Sequence, residues 1–320
     1  MGKIDSNTLQ EELRDNQKVL PSDYDECFAI APETIKTSKG LVEYAMVGEG
    51  PLVLISHGGP GGYDQALVIG ELFRKNGFKV LAPSRPGHLG TPVASGKTAE
   101  AQGDLHAALM DALGIDSAIV VGVSGGGPSA YQIAERHAHK VSALVVIDGI
   151  SRHYTKGDDV SRLEKWMYLS TVGQWVTGFF FKHFPSTAIE EFLKTESLLE
   201  KHEIADRLKE ILADESKFSM MNSLFKTMSG RFSERRDGAE NDLYLGKLID
   251  KLPLGSVTSP TLLIHGDADN DVPLGDADYA HDAIGNSDLL LVNGGSHIGF
   301  WTAPDAYRVQ RYLLDWLKDK

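Results

Sequence analysis

Cysteine is nearly absent from the 320-residue sequence: Cys27 is the only one, so the chain can form no internal disulfide and no cysteine-based metal site. No stretch approaches the roughly 20 apolar residues that a membrane-spanning helix needs, and the first thirty residues are too polar for a signal peptide. Basic residues are also few, with 32 Lys and Arg against 45 Asp and Glu and a net charge of −13. Nucleic acid and anionic membranes would repel this charge, so neither is expected as a partner and we expect the protein to act on a small molecule. The single cysteine and the polar first residues predict a reducing, cytoplasmic location.

Buried strands and helices alternate along most of the chain, which predicts an α/β fold with a mostly parallel sheet flanked by helices. The first 32 residues are predicted to form a polar extension, and residues 33–150 and 256–320 are predicted to form the α/β core domain. Nearly continuous apolar runs are typical of strands that helices cover on both faces. Eight strands are predicted, the first two as a hairpin, at residues 33–37, 41–47, 51–57, 79–83, 118–123, 143–147, 260–265 and 288–292.

Residues 151–255 break this alternation, because they contain helical patterns and no convincing strand. A hundred residues without secondary structure are not expected in a compact domain, so we interpret this interval as a helical lid inserted between the sixth and seventh predicted strands. Its large side chains could pack against the core, line an apolar pocket or face lipid; they include Trp166, Met167, Tyr168, Trp175, Phe179, Phe180, Phe181, Phe184, Phe192, Phe218, Met220, Met221 and Phe225.

The junction at Ser124 is the most informative local pattern. Gly122-Val123-Ser124-Gly125-Gly126 directly follows an apolar strand and leads into a helix. A strand that enters a helix through Gly-x-Ser-x-Gly places the serine hydroxyl on a sharp, exposed turn. The glycines are needed because a Cβ atom there would collide where helix and strand close up. Ser124 is therefore a nucleophile candidate.

A serine hydroxyl needs a base to accept its proton, and a histidine oriented by a carboxylate is suited to that task. Candidates for both follow the last two predicted strands: the acidic loop 265–273 and the loop 294–301, which contains His297. Since the carboxyl ends of parallel strands share one edge of a sheet, these loops should meet Ser124 there. The acidic loop does not suit calcium, because Val272 occupies the position that requires glycine.

The glycine-rich loop after the third predicted strand, Ser56 to Gly62, can turn a backbone N–H towards Ser124. The negative oxygen of a tetrahedral intermediate needs two such donors, and the candidates are the N–H groups of Gly59 and Gly125. His57 begins this loop, where its side chain is expected to brace the loop rather than to react.

From about residue 33 to its end, the chain resembles the α/β-hydrolase fold superfamily. Four landmarks occur in the order typical of that family: His57-Gly-Gly-Pro-Gly, the serine turn, His265-Gly-x-x-Asp269 and Gly-Gly-x-His297. The resemblance implies a triad in which Ser124 is the nucleophile, Asp269 the orienting acid and His297 the base, with no cofactor or metal. Asp148, which ends the sixth predicted strand, is the alternative acid.

The resemblance implies a serine hydrolase that cleaves a carboxylic ester or related acyl bond of a small, fairly apolar substrate. The His57 loop is similar to that of proline iminopeptidases, yet those enzymes usually carry Gly-Gly-Ser-Trp-Gly where this chain has Gly122 to Gly126. The alternatives are an aminopeptidase of that kind, a lyase or a ligand receptor. The sequence does not indicate the oligomeric state.

Overall fold

The computed structural model describes residues 2–9, 19–154, 170–318 and 320. At its centre lies a nine-stranded sheet with the order β1-β9-β8-β7-β6-β4-β5-β3-β2. The strands are β1 (Lys3–Asp5), β2 (Glu33–Lys36), β3 (Leu41–Val47), β4 (Leu52–Ser56), β5 (Lys79–Pro83), β6 (Ala118–Val123), β7 (Val141–Ile147), β8 (Thr261–Gly266) and β9 (Ser287–Val292). Among the strands that the structure describes, the pairings β2–β3 and β3–β5 are antiparallel and all others are parallel, which confirms the mostly parallel sheet.

Twelve α-helices occur in the part of the chain that the structure describes. They are α1 (Asp25–Ala29), α2 (Tyr63–Arg74), α3 (Ala99–Ala112), α4 (Gly127–Arg136), α5 (Thr171–His183), α6 (Pro185–Glu196), α7 (Lys201–Ala213), α8 (Glu215–Ser229), α9 (Arg236–Leu248), α10 (Gly275–Ala283), α11 (Gly299–Thr302) and α12 (Ala306–Leu317). None of these described helices is long and apolar enough to cross a bilayer.

The ninth strand, β1, corrects the predicted count of eight. Three residues of the predicted polar extension pair in parallel with β9 at the edge of the sheet. Their sequence, Lys3-Ile4-Asp5, is too short and too polar for a strand signal. Pairing covers the edge of β9, which would otherwise expose backbone N–H and C=O groups.

The core consists of two apolar clusters, one on each face of the sheet. Side chains alternate between the faces of a strand, and in β4 Val53 and Ile55 join one cluster while Leu54 joins the other. All three are fully buried. Helices therefore cover both faces of the central strands, as their continuous apolar sequences predict.

Helices α5 to α9 lie between β7 and β8, within the interval predicted to be a lid. Several of its large side chains form an internal core: Phe181 stacks on Phe225 with ring centroids 4.1 Å apart, and Met220 and Met221 are buried. Others on α5 and just after it are exposed: Trp175, Phe179, Phe180 and Phe184. Trp166, Met167 and Tyr168 lie outside the described residues.

Candidate active site

Ser124 occupies a tight turn between β6 and α4. Its φ of +51° lies in the left-handed region that side chains other than glycine rarely adopt. The turn continues directly into α4, whose second residue is Pro128. Glycine is required at 126, because a Cβ atom there would lie 2.1 Å from the carbonyl oxygen of Ser56. This close approach of turn and strand holds Ser124 at the end of the sheet.

The predicted triad residues come together at the carboxyl ends of three parallel strands. His297 Nε2 lies 2.9 Å from Ser124 Oγ, and His297 Nδ1 lies 2.8 Å from Asp269 Oδ2. Asp269 follows β8 and His297 follows β9, so the parallel register of β6 to β9 brings the three loops to one edge. In this arrangement a neutral imidazole can accept the hydroxyl proton while the carboxylate fixes its tautomer.

Asp269 is held as a carboxylate by its neighbours. Its Oδ1 accepts hydrogen bonds from the backbone N–H groups of Asp271 at 2.7 Å and Val272 at 3.0 Å. Burial alone would raise the pKa of Asp269, but the charge and hydrogen bond of His297 bring the pKa below its ordinary value. The side chain is fully buried, so its hydrogen bond with His297 is shielded from water.

Asp148, the alternative acid, is nearby but does not contact His297. Its Oδ1 accepts the backbone N–H of Gly266 at 2.9 Å, whereas no described residue bonds to its Oδ2. Burial raises its pKa well above the ordinary range, and the charge of Asp269 adds to the effect. Burial thus disfavours the charged form of Asp148, and the hydrogen-bond geometry favours Asp269 as the partner of the histidine.

A second carboxylate, Asp271, approaches His297 from the side of Ser124. Asp271 Oδ2 lies 3.3 Å from His297 Nε2, and the hydroxyl of Tyr154 donates to its Oδ1 at 2.5 Å. Burial lowers the pKa of His297, but the charges of Asp269 and Asp271 outweigh burial and raise the pKa well above 6.5. The imidazolium form is thus stabilised in the resting site.

The glycine-rich loop after β4 passes beside Ser124. Within the described part of the chain, the N–H of Gly59 has no hydrogen-bond acceptor. A Cβ atom on Gly125 would lie 3.7 Å from that nitrogen, so Gly59 and Gly125 border the same space next to the serine. Gly125 lies in the first turn of a helical segment, where N–H groups lack intrahelical acceptors.

The inserted helices contact the loops that carry the acid and the histidine. The carbonyl oxygen of Glu196, at the end of α6, accepts the backbone N–H of His297 at 3.2 Å. The backbones of Ser197 and Asp269 form an isolated antiparallel β-bridge, and the N–H of Leu198 donates to the carbonyl oxygen of Ala268. The position of both side chains thus depends on the insertion as well as on the sheet.

One described cluster has the composition of a metal site, formed by Asp148, His265 and Asp269. Most of its ligand atoms are already engaged. His265 Nε2 lies 2.9 Å from the carbonyl oxygen of Val272, and Asp269 accepts hydrogen bonds on both oxygens. These hydrogen bonds suit a triad acid better than a cation site. That the protein needs no metal stays a prediction.

Two features of the site were not predicted from the sequence. The contact of Asp271 with His297 had a visible signal, the crowding of carboxylates in one loop, but of these carboxylates only Asp269 was predicted to act on the histidine. The second feature is Arg85, which lies in the loop after β5; its ion pair with Asp242 joins positions 157 residues apart. No local pattern predicts a pairing over that distance.

The family model of the alpha/beta hydrolase fold matches residues 51–304. The chain is 30% identical over 232 residues to a pimeloyl-[acyl-carrier protein] methyl ester esterase from Aromatoleum aromaticum, covering 72% of this chain and 84% of that protein. It is 26% identical to the uncharacterized hydrolase YcgS of Bacillus subtilis, covering 89% of this chain and 98% of that protein.

A solved structure of similar shape is an alpha/beta hydrolase fold protein from Nakamurella multipartita. The TM-score is 0.84 at 35% sequence identity, and the match covers 90% of this chain and 99% of that one.

Proposed function

Because the chain belongs to the α/β hydrolase fold family, we propose that it hydrolyses a carboxylic ester, or a related acyl bond, of a small, fairly apolar substrate through a covalent acyl-enzyme. The observation that carries this proposal is the pair of hydrogen bonds that links Ser124 to His297 and His297 to Asp269. The esterase named among the relatives supports an ester as the bond cleaved.

In the proposed mechanism, Ser124 Oγ attacks the acyl carbon as its proton passes to His297 Nε2. The carbonyl oxygen becomes negative and accepts hydrogen bonds from the N–H groups of Gly59 and Gly125. Asp269 keeps the proton of Nδ1 facing away from the serine and stabilises the imidazolium. His297 then protonates the leaving alcohol, and the serine–acyl ester remains.

The second half of the reaction repeats these roles with water. His297 accepts a proton from a water molecule, whose oxygen attacks the acyl carbon and releases the carboxylic acid product and the serine hydroxyl. We further propose that helices α5 to α9 form a lid over the site. Their contacts with the loops of Asp269 and His297, through Glu196 and Leu198, support this assignment.

A comparison of two substrates distinguishes the proposed ester hydrolase from an aminopeptidase. A short-chain nitrophenyl ester should be cleaved with kcat/KM at least about 100-fold above that of a prolyl arylamide, a difference of about 2.7 kcal/mol in transition-state stabilisation. Both are measured by release of the chromophore, and a series of acyl lengths then reports the depth of the pocket. Preference for the arylamide would overturn the ester assignment, and inertness towards both would favour lyase chemistry or a receptor.

The pH dependence follows from the carboxylates around His297. The base must be neutral to accept the proton of Ser124, so activity should rise with pH through the raised pKa of His297. Asp271→Asn removes one negative charge from the Nε2 side, which lowers that pKa. The acidic limb of kcat/KM should then move to lower pH by about one unit.

The control for this shift is Asp282→Asn, which removes an exposed carboxylate in α10. Its pH profile should coincide with that of the unaltered protein, since a solvated, distant charge is screened. An acidic limb that stays in place in Asp271→Asn would show that this carboxylate does not stabilise the imidazolium.

A further inference from the structure

Arg85 and Asp242 form a buried ion pair behind the glycine-rich loop. Arg85 follows β5, and its two terminal nitrogens donate to the carboxylate of Asp242 at 2.8 and 2.6 Å. The guanidinium is 1% exposed and the carboxylate 16%. Asp242 lies in α9, so the pair joins the insertion to the core.

The same arginine also holds the glycine-rich loop. Its Nε donates to the carbonyl oxygen of His57 at 2.8 Å, and its Nη2 donates to that of Gly58 at 3.4 Å. The backbone N–H of Arg85 points at His57 Nε2, at 2.9 Å. A backbone N–H can only donate, so Nε2 is the acceptor and the ring proton is on Nδ1. Nδ1 donates this proton to the carbonyl oxygen of Gly58, which lies 2.7 Å from the nitrogen.

His57 therefore acts as a neutral donor. Burial lowers its pKa well below 6.5, and the charge of Arg85 and the neighbouring His88 lower it further. The Gly58 carbonyl oxygen accepts hydrogen bonds from both His57 and Arg85. The two bonds fix the plane of the Gly58–Gly59 peptide.

This peptide bond is trans, so its N–H points away from its carbonyl oxygen. Holding the Gly58 oxygen on one side consequently directs the Gly59 N–H to the other side. The Gly59 nitrogen lies beside the serine turn: a Cβ atom on Gly125, the residue after Ser124, would lie 3.7 Å from it. The orientation of the Gly59 donor thus depends on Arg85.

Two glycines allow α9 to approach Arg85 closely. The N–H of Gly238 donates to the carbonyl oxygen of Gly87 at 2.8 Å, and a Cβ atom on Gly87 would lie 2.5 Å from the Gly238 nitrogen. Gly87 also has φ of +83°, which favours glycine. Asp242 lies four residues after Gly238, on the same face of the helix, and so meets the guanidinium.

We propose that Asp242 is a positioning residue for the oxyanion site: it holds Arg85, which with His57 fixes the Gly58 carbonyl and aims the Gly59 N–H at the reacting oxygen. The inserted helices then act on the chemistry, since the donor is aligned only while α9 is seated on the core. This inference rests on the proposed function of the same site and adds a structural requirement for it.

A second ion pair offers a matched control. Arg235 and Asp64 also join the start of α9 to the core, with bonds of 3.0 and 2.5 Å. Their exposed fractions are 1% and 13%, nearly those of the first pair. Arg235 bonds to the carbonyl oxygen of Gly230 and makes no hydrogen bond to Gly58 or Gly59 among the described residues.

The kinetic test compares Asp242→Asn with Asp64→Asn below their melting temperatures. Each leaves a buried arginine without its charge partner, so both should lose stability. Asp242→Asn should lower kcat roughly tenfold to hundredfold with KM changed less than twofold, because a misaligned oxyanion donor acts on the transition state alone. Asp64→Asn should keep kcat within about twofold. Arg85→Lys keeps the positive charge but loses the pair of guanidinium nitrogens that bind both oxygens of Asp242, so it should lower kcat as Asp242→Asn does.

A second measurement does not need turnover. In protein labelled with ¹⁵N-glycine, the Gly59 amide signal should shift and exchange faster in Asp242→Asn and in Arg85→Lys, but not in Asp64→Asn. If the unaltered protein cleaves no test ester, the proposed function fails, and this signal still decides the inference. Equal kcat losses in Asp242→Asn and Asp64→Asn, or an unchanged Gly59 amide in Asp242→Asn, would overturn it.

Discussion

Ser124→Ala should reduce kcat by on the order of 10⁶-fold, because without the hydroxyl no acyl-enzyme can form and His297 has no proton to accept. The fold should be retained, since the one side-chain contact described for the hydroxyl is the hydrogen bond to His297. Turnover of the ester that the unaltered protein cleaves best is the measurement. Labelling by a fluorophosphonate, followed by mass spectrometry, should place one adduct on Ser124 and none on the variant.

Ser129→Ala is the matched control, because it removes a buried hydroxyl five residues further along the same turn and helix. The Ser129 hydroxyl bonds to Ser56 Oγ at 2.7 Å and to the carbonyl oxygen of Gly126 at 3.0 Å. Its loss should cost about 1 kcal/mol of stability and leave kcat within a few-fold. Wild-type esterase rates in Ser124→Ala would refute the assignment of the nucleophile.

Asp269→Asn should reduce kcat by roughly 10⁴-fold. An asparagine can offer its amide N–H to His297 Nδ1, which favours the tautomer with the proton on Nε2, where it cannot accept from Ser124. The variant also loses the charge that stabilises the imidazolium. Single-turnover kinetics should show that acylation is slowed. The variant protein should remain folded.

Asp148→Asn separates the two candidate acids. Burial raises the pKa of Asp148, and its hydrogen bond goes to the N–H of Gly266 and not to His297, so an amide of the same shape should replace it with kcat changed only a few-fold. A large loss in Asp148→Asn together with a small loss in Asp269→Asn would transfer the role of the acid to Asp148.

Local sequence patterns were sufficient for the fold and for the approximate bounds of the main strands. A buried parallel strand has a continuous apolar sequence whatever its neighbours are, and the Gly-x-Ser-x-Gly turn needs its glycines for reasons that act within a few residues. The short strand β1 was missed because its pairing with β9, and not its own composition, makes it a strand.

The comparison of the two candidate acids shows where local patterns stop being informative. Asp148 and Asp269 both follow buried strands. In the sequence, Asp269 was favoured because the spacing His265-Gly-x-x-Asp269 resembles that of the α/β-hydrolase family. The structure separates them: Asp269 lies 2.8 Å from His297 Nδ1, whereas Asp148 bonds to the N–H of Gly266. This difference arises from the register of β7 against β8 and from the path of each loop.

The sequence by itself determined the layered α/β architecture and the order of the serine, acidic and histidine loops, because each follows from residues that are neighbours along the chain. Tertiary structure alone decided which carboxylates surround His297 and that Asp242 in α9 pairs with Arg85 behind the glycine-rich loop. Such contacts join loops and helices distant in sequence, and a shift of one helix by a few ångströms would break them without changing any local pattern.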